Sequence, residues 1–80
     1  MLGLSEIWDC LQDSLPRDRW FSLEDVYDHI QSHLHLDKDD FEPEVSGSTV
    51  PKWKRNVRNV LQYRKRKGEI QWDGNANYKL

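Results

Sequence analysis

The segment from Lys52 to Lys67 sets cations against apolar residues at helical spacing, stops at Gly68, and passes directly into a strand-like alternation that ends Tyr78-Lys79-Leu80. At about 100° per residue, Trp53, Val57, Val60 and Leu61 share one arc, while Arg55, Arg58, Asn59, Gln62 and Arg66 fall on the opposite one. A helix here packs with one face and leaves the other to solvent. Pro51 suits its first turn, where an N–H would lack a partner anyway, and Gly68 suits the left-handed position just beyond its end. Arg64 projects from the apolar arc and must either snorkel to water or pair with an acid. After Gly68, Ile70 and Trp72 alternate with Gln71 and Asp73, Asp73-Gly74 opens a turn, and Tyr78 and Leu80 share a face of the returning strand. A helix followed at once by a hairpin is therefore required. The rest of the chain must cover that helix's apolar arc.

Upstream, Leu4, Ile7, Trp8, Leu11 and Leu15 recur at amphipathic spacing with Glu6, Asp9, Gln12 and Asp13 on the other side, and Pro16 closes the pattern. Ser22 is a good N-cap for a second helix, with Glu24 and Asp25 in the first turn, where acids complement the helix dipole, and Val26, Tyr27, Ile30 and Leu34 as the apolar stripe. Trp20-Phe21 suits a short strand that pairs with the carboxy-terminal hairpin. From Leu36 to Ser48 periodicity is lost in an acidic stretch, Asp37, Asp39, Asp40, Glu42 and Glu44, read as a solvated loop. It lacks the glycine and ligand spacing of a calcium loop and would repel phosphate from its side of the domain. By phase, Trp8 and Trp53 are core residues, Trp72 joins Ile70 in the core, and Trp20 is a packing anchor beside the second helix.

Eighty residues make one small domain, which buries only roughly 60% of its unfolded surface and has little room to enclose a substrate. Nine aromatic residues supply large apolar area where the hydrophobic fraction is only 36%. The single cysteine, Cys10, cannot form an internal disulfide, and no stretch approaches the ~20 apolar residues of a membrane span, so a cytoplasmic protein is expected. His29 and His33 are four residues apart on one helix face, but a third ligand from His35, Cys10 or the acidic loop has no recognisable spacing. They are read as core-edge rings, with no metal and no cofactor. No nucleophile–base set, phosphate-cradling glycine loop or carboxylate pair can be argued from spacing, and a non-enzymatic domain is expected.

The charge distribution points to a partner. Residues 51–80 hold nine basic and two acidic residues, a net of +7, whereas residues 1–50 hold three basic and twelve acidic, a net of −9. Arg and Lys neutralise phosphates, while Arg matches guanine and Asn or Gln matches adenine at their major-groove edges. Lys52, Lys54, Arg58, Lys65 and Lys67 are the candidate phosphate contacts, and Arg55, Asn59 and Gln62 the candidate base readers. Duplex DNA is the expected partner. The other reading open at this point is a protein-interaction module in which the acidic and basic halves engage complementary surfaces.

Val57-Arg58-Asn59-Val60-Leu61-Gln62, then Gly68-Glu69-Ile70 and Tyr78-Lys79-Leu80, resembles the winged-helix domains attached to restriction endonucleases, in particular the carboxy-terminal domain of the methyl-directed enzyme that cuts methylated GATC. A looser likeness, including Ser22-Leu23-Glu24-Asp25-Val26-Tyr27, extends to the amino-terminal winged helix of Mrr-type restriction proteins, and residues 20–80 are covered in all. Arg58 and Gln62 match the pattern residue by residue, and Leu61, Gly68, Ile70, Tyr78 and Leu80 match it as framework. The resemblance implies an α+β winged helix, a three-helix bundle with a small antiparallel β-hairpin wing, whose third helix enters the major groove. It also implies DNA recognition, in some relatives of modified bases, with any cutting carried by a separate nuclease domain or partner. The expected elements are helices at about 4–15, 23–34 and 51–67, a hairpin at about 69–80 and an acidic loop at 36–48.

Overall fold

The computed structural model describes residues 2–43, 47 and 49–80. It is an α+β fold of three α-helices and a small antiparallel sheet: α1 (Leu4–Ser14), β1 (Phe21–Ser22), α2 (Leu23–His33), α3 (Lys52–Arg66), β2 (Gln71–Trp72) and β3 (Asn77–Lys79). The helix bounds fall within a residue of those expected. The sheet has three strands in the order β1-β3-β2, because Phe21 pairs opposite Tyr78 while Trp72 flanks Tyr78 on the other side.

Local chemistry explains each boundary. The Glu6 carboxylate accepts the Gly3 N–H at the start of α1. At α2, Ser22 Oγ accepts the Asp25 N–H at 3.1 Å and Asp25 Oδ2 accepts the Ser22 N–H at 3.2 Å, a reciprocal capping box. Pro51 stands just outside α3 rather than in its first turn, as the extended residue that leads into the helix. Gly68, at φ +78°, ends α3: its N–H bonds the Lys65 carbonyl at 3.0 Å and the Glu69 N–H bonds the Arg64 carbonyl at 2.9 Å, a Schellman closure.

The hairpin is set by Asp73. Its Oδ1 accepts the N–H groups of Asn75 and Asn77, and its Oδ2 accepts the Asn77 side-chain amide at 2.7 Å, around Gly74 at φ +87°.

Ile7, Trp8, Leu11 and Leu15 of the first helical stripe pack against Val26, Tyr27 and Ile30 of α2, Trp53, Val57, Val60 and Leu61 of α3, and Ile70 and Tyr78 of the hairpin. Trp53 is the largest sealed side chain, 2% exposed, with the Tyr27 ring edge-on at 5.5 Å and Phe41 at 6.4 Å. Leu4, expected on the α1 stripe, is half exposed at an open groove that it lines with Tyr63 of α3, whereas Leu2, just before the helix, is buried in the core.

Two tryptophans depart from expectation. Trp72 is 43% exposed, since β2 is the edge strand and only the central strand's Tyr78 is covered. Trp20, expected as a packing anchor, is 48% exposed, with the Lys79 ammonium 5.3 Å from its ring centre.

The acidic stretch is also more than a solvated loop. Asp39–Phe41 forms a 3-10 turn, and Asp40, 1% exposed, accepts the N–H of Leu2 at 2.8 Å and of Asp37 at 3.0 Å. A carboxylate that finds two N–H donors can be buried, and this one ties the start of the chain to the turn. Glu44, Ser46 and Ser48 of the same stretch lie outside the described residues.

Candidate nucleic-acid interface

With Trp53, Val57, Val60 and Leu61 buried, α3 can rotate in only one way, and its outer face carries Arg55, Asn59, Gln62 and Arg66. Arg55, Arg58, Asn59 and Gln62, with Val50, line one open depression of about 250 Å³. The three expected base readers are thus brought together, with Arg58 beside them. Arg66, exposed one turn beyond Gln62, extends the same face. Its helical phase showed this position, yet it stood outside the expected site.

The expected phosphate contacts separate into groups. Lys52 Nζ pairs with Asp39 Oδ1 at 3.1 Å, and its N–H bonds the Glu42 carbonyl, so the acidic segment sits against the amino end of α3. Acids there complement the helix dipole, but they also oppose phosphate at that end. Lys54 lies over the Tyr27 ring at 5.0 Å. Arg58 is exposed, Lys65 lies 4.1 Å from the centre of the Trp72 ring, and Lys67 lies over the exposed Tyr63 at 5.1 Å. Cationic surface is therefore concentrated toward the carboxy-terminal half of α3. Arg64 meets both sequence alternatives at once: it snorkels across the Trp8 ring at 4.5 Å and pairs with Glu69 at 2.9 Å.

Sequence reasoning missed the polar ends of Tyr27 and Tyr78, which it placed by their rings alone. Burial pushes both phenols above the usual 10.0, and the neighbouring Arg58 pulls them partly back. The signal was available: tyrosine rather than phenylalanine at two apolar positions.

His29 and His33 stack at 4.1 Å; Ser14 Oγ meets His29 Nε2 at 2.7 Å, and His33 Nδ1 donates to the His29 carbonyl at 2.9 Å. Burial, with His33 alongside, lowers the His29 pKa. No group of three His, Cys, Asp or Glu side chains among the described residues is placed to hold a metal ion. Cys10 is buried, its thiol near Ser14 Oγ. No helix among the described residues is long and apolar enough to cross a membrane.

No protein-family model matches the sequence, and neither a curated protein nor a solved structure shows significant similarity to it.

Proposed function

We propose that this domain is a winged-helix module that binds duplex DNA, with α3 in the major groove and β2–β3 as the wing. The observation that carries the reading is the convergence of Arg55, Asn59 and Gln62 with Arg58 on a single open face. Donors and acceptors suited to base edges lie there beside cations suited to phosphates. Lys65, Arg66 and Lys67 extend the cationic surface past it. The order of helix, glycine and hairpin, and the likeness to restriction-enzyme recognition domains, support the same module, non-enzymatic by itself and coupled to a nuclease domain or partner protein.

The test is a titration of duplex DNA at low salt followed by amide signals. Shifts should centre on residues 55–67. If those signals stay in place, or only the acidic segment at 36–43 moves, the reading is wrong. A protein-interaction module is favoured by one observation, the groove between α1 and α3 in which half-exposed Leu4 and Tyr63 flank Trp8. Concentration-dependent self-association without DNA would support it instead.

A further inference from the structure

The outer face of α3 runs from Arg58 at one margin, through Gln62, Arg55 and Arg66, to Asn59 at the other. At about 100° per residue, Lys65 falls about 20° outside Arg58, while Tyr63 and Lys67 fall about 40° and about 80° outside Asn59. The two margins carry the same kind of pair. On the Arg58 side the Lys65 ammonium lies 4.1 Å from the centre of the Trp72 ring, and on the Asn59 side the Lys67 ammonium lies 5.1 Å from the centre of the Tyr63 ring. Both rings are exposed, Trp72 at 43% and Tyr63 at 51%. Asn59 lines both the depression of the base-reading candidates and the groove that Tyr63 borders, so Tyr63 adjoins the reading face.

The Trp72 indole N–H donates to the Asn75 carbonyl inside the turn that Asp73 organises, which fixes the ring in the wing with its polar atom already satisfied. What it offers a ligand is apolar surface. A second cation, Arg64, lies 5.3 Å from the Tyr63 ring centre but is paired with Glu69, so Lys67 is the ammonium of that margin. A cation seated on an aromatic face is ordered before it meets an anion, and less side-chain freedom is lost on binding. A deoxyribose beside its phosphate presents the matching chemistry, an apolar ring next to a negative charge.

An α-helix with its side chains is about 10–12 Å across and the major groove about 12 Å wide, so a helix whose outer face meets base edges sets its two flanks against different backbones. We propose, resting on the duplex-binding reading above, that Trp72 with Lys65 and Tyr63 with Lys67 are flanking clamps, one for the sugar–phosphate backbone of each strand. Trp20 with Lys79 repeats the pairing at 5.3 Å, but beside β1, at the opposite edge of the sheet from β2, and provides the control.

The test uses the full chain and the tightest-binding duplex selected from a random-sequence pool at low salt. A neutral methylphosphonate scanned singly along both strands should reveal sensitive positions on each. Lys65→Ala should remove the sensitivity on one strand only and Lys67→Ala on the other strand only, each flattening the salt slope by about one. Trp72→Ala and Tyr63→Ala should each weaken binding about tenfold at unchanged slope, because a ring displaces no counterion. Tyr63→Phe should keep the affinity, and Trp20→Ala should bind as the unmodified protein does. Sensitive positions confined to one strand, absent from both, or lost at the same place in both lysine variants overturn the clamps, and the scan of the unmodified protein decides this even if a ring variant melts early. If the unmodified protein binds duplex and normally melting Trp72→Ala and Tyr63→Ala variants match it, or Trp20→Ala weakens binding as much as they do, the clamps alone are wrong. If the unmodified protein binds no duplex at low salt, the domain's proposed function fails and the clamps fail with it.

Discussion

Trp53 meets both the Tyr27 and the Phe41 rings edge-on, so its indole joins α3 both to α2 and to the 3-10 turn. Trp53→Ala should cost about 3–5 kcal/mol, the usual range for emptying a large buried aromatic site, read from urea unfolding. That is a large share of a small domain's stability of about 5–15 kcal/mol. A loss under about 1 kcal/mol would place the indole at the surface and exchange the packing and reading faces of α3. Asp40 differs in kind, because its carboxyl group satisfies two backbone N–H groups in an enclosed site. Asp40→Asn keeps one acceptor oxygen and turns an amide toward the other N–H, so a loss of about 1–3 kcal/mol is expected in the same assay. The adjacent Asp39–Lys52 pair, open to water, should contribute no more than about 1 kcal/mol, and Lys52→Ala checks this. A loss for Lys52→Ala as large as that for Asp40→Asn would contradict the distinction between enclosed and exposed carboxylates.

Among the elements, the β2–β3 turn should respond to acid. Hydrogen bonds from Asn77 and Asn75 hold the Asp73 carboxyl below its ordinary 3.8. A carboxylate depressed by folding contributes stability that is present above the unfolded value and lost as pH falls through the folded one. Hydrogen exchange at Asn75 and Asn77 should therefore accelerate below about pH 3.8 relative to amides of the helical core, and Asp73→Asn should remove that step. Equal acceleration in both proteins would show that the turn is held by something else. The helices were legible in the sequence because local signals agreed: the Ser22 and Asp25 cap, the apolar stripes and the Gly68 stop all lie within a few residues of what they determine. The acidic stretch was not, since the burial of Asp40 depends on Leu2, thirty-eight positions away. Trp72 was misplaced for a related reason. Alternation identifies the two faces of a strand but says nothing about which strand lies at the edge. At the site, Arg55, Asn59 and Gln62 followed directly from phase, whereas the electrostatic pull of Arg58 on the Tyr27 and Tyr78 phenols depends on the tertiary fold.

Over the whole molecule, the acidic half and the basic half meet at the amino end of α3, where Asp39 engages Lys52, and the positive surface grows toward the helix's other end. If about four cations meet phosphates, log affinity for duplex should fall against log salt with a slope of about −4. Lys65→Ala should flatten it by about one unit and weaken all sequences alike, whereas Asn59→Ala should reduce discrimination between a preferred and a scrambled duplex by about 1–3 kcal/mol at unchanged slope. A Lys65→Ala variant that altered sequence preference without altering the slope would reverse these roles. The division of the four tryptophans into an enclosed pair, Trp8 and Trp53, and an open pair, Trp20 and Trp72, has an optical consequence. The enclosed indoles should emit to the blue and respond only to denaturation, while the open ones emit to the red. Trp72, beside Lys65 at the proposed binding face, should be quenched when a polyanion docks. Association and unfolding can then be followed as separate spectral components in one cuvette, with no dye attached to the protein.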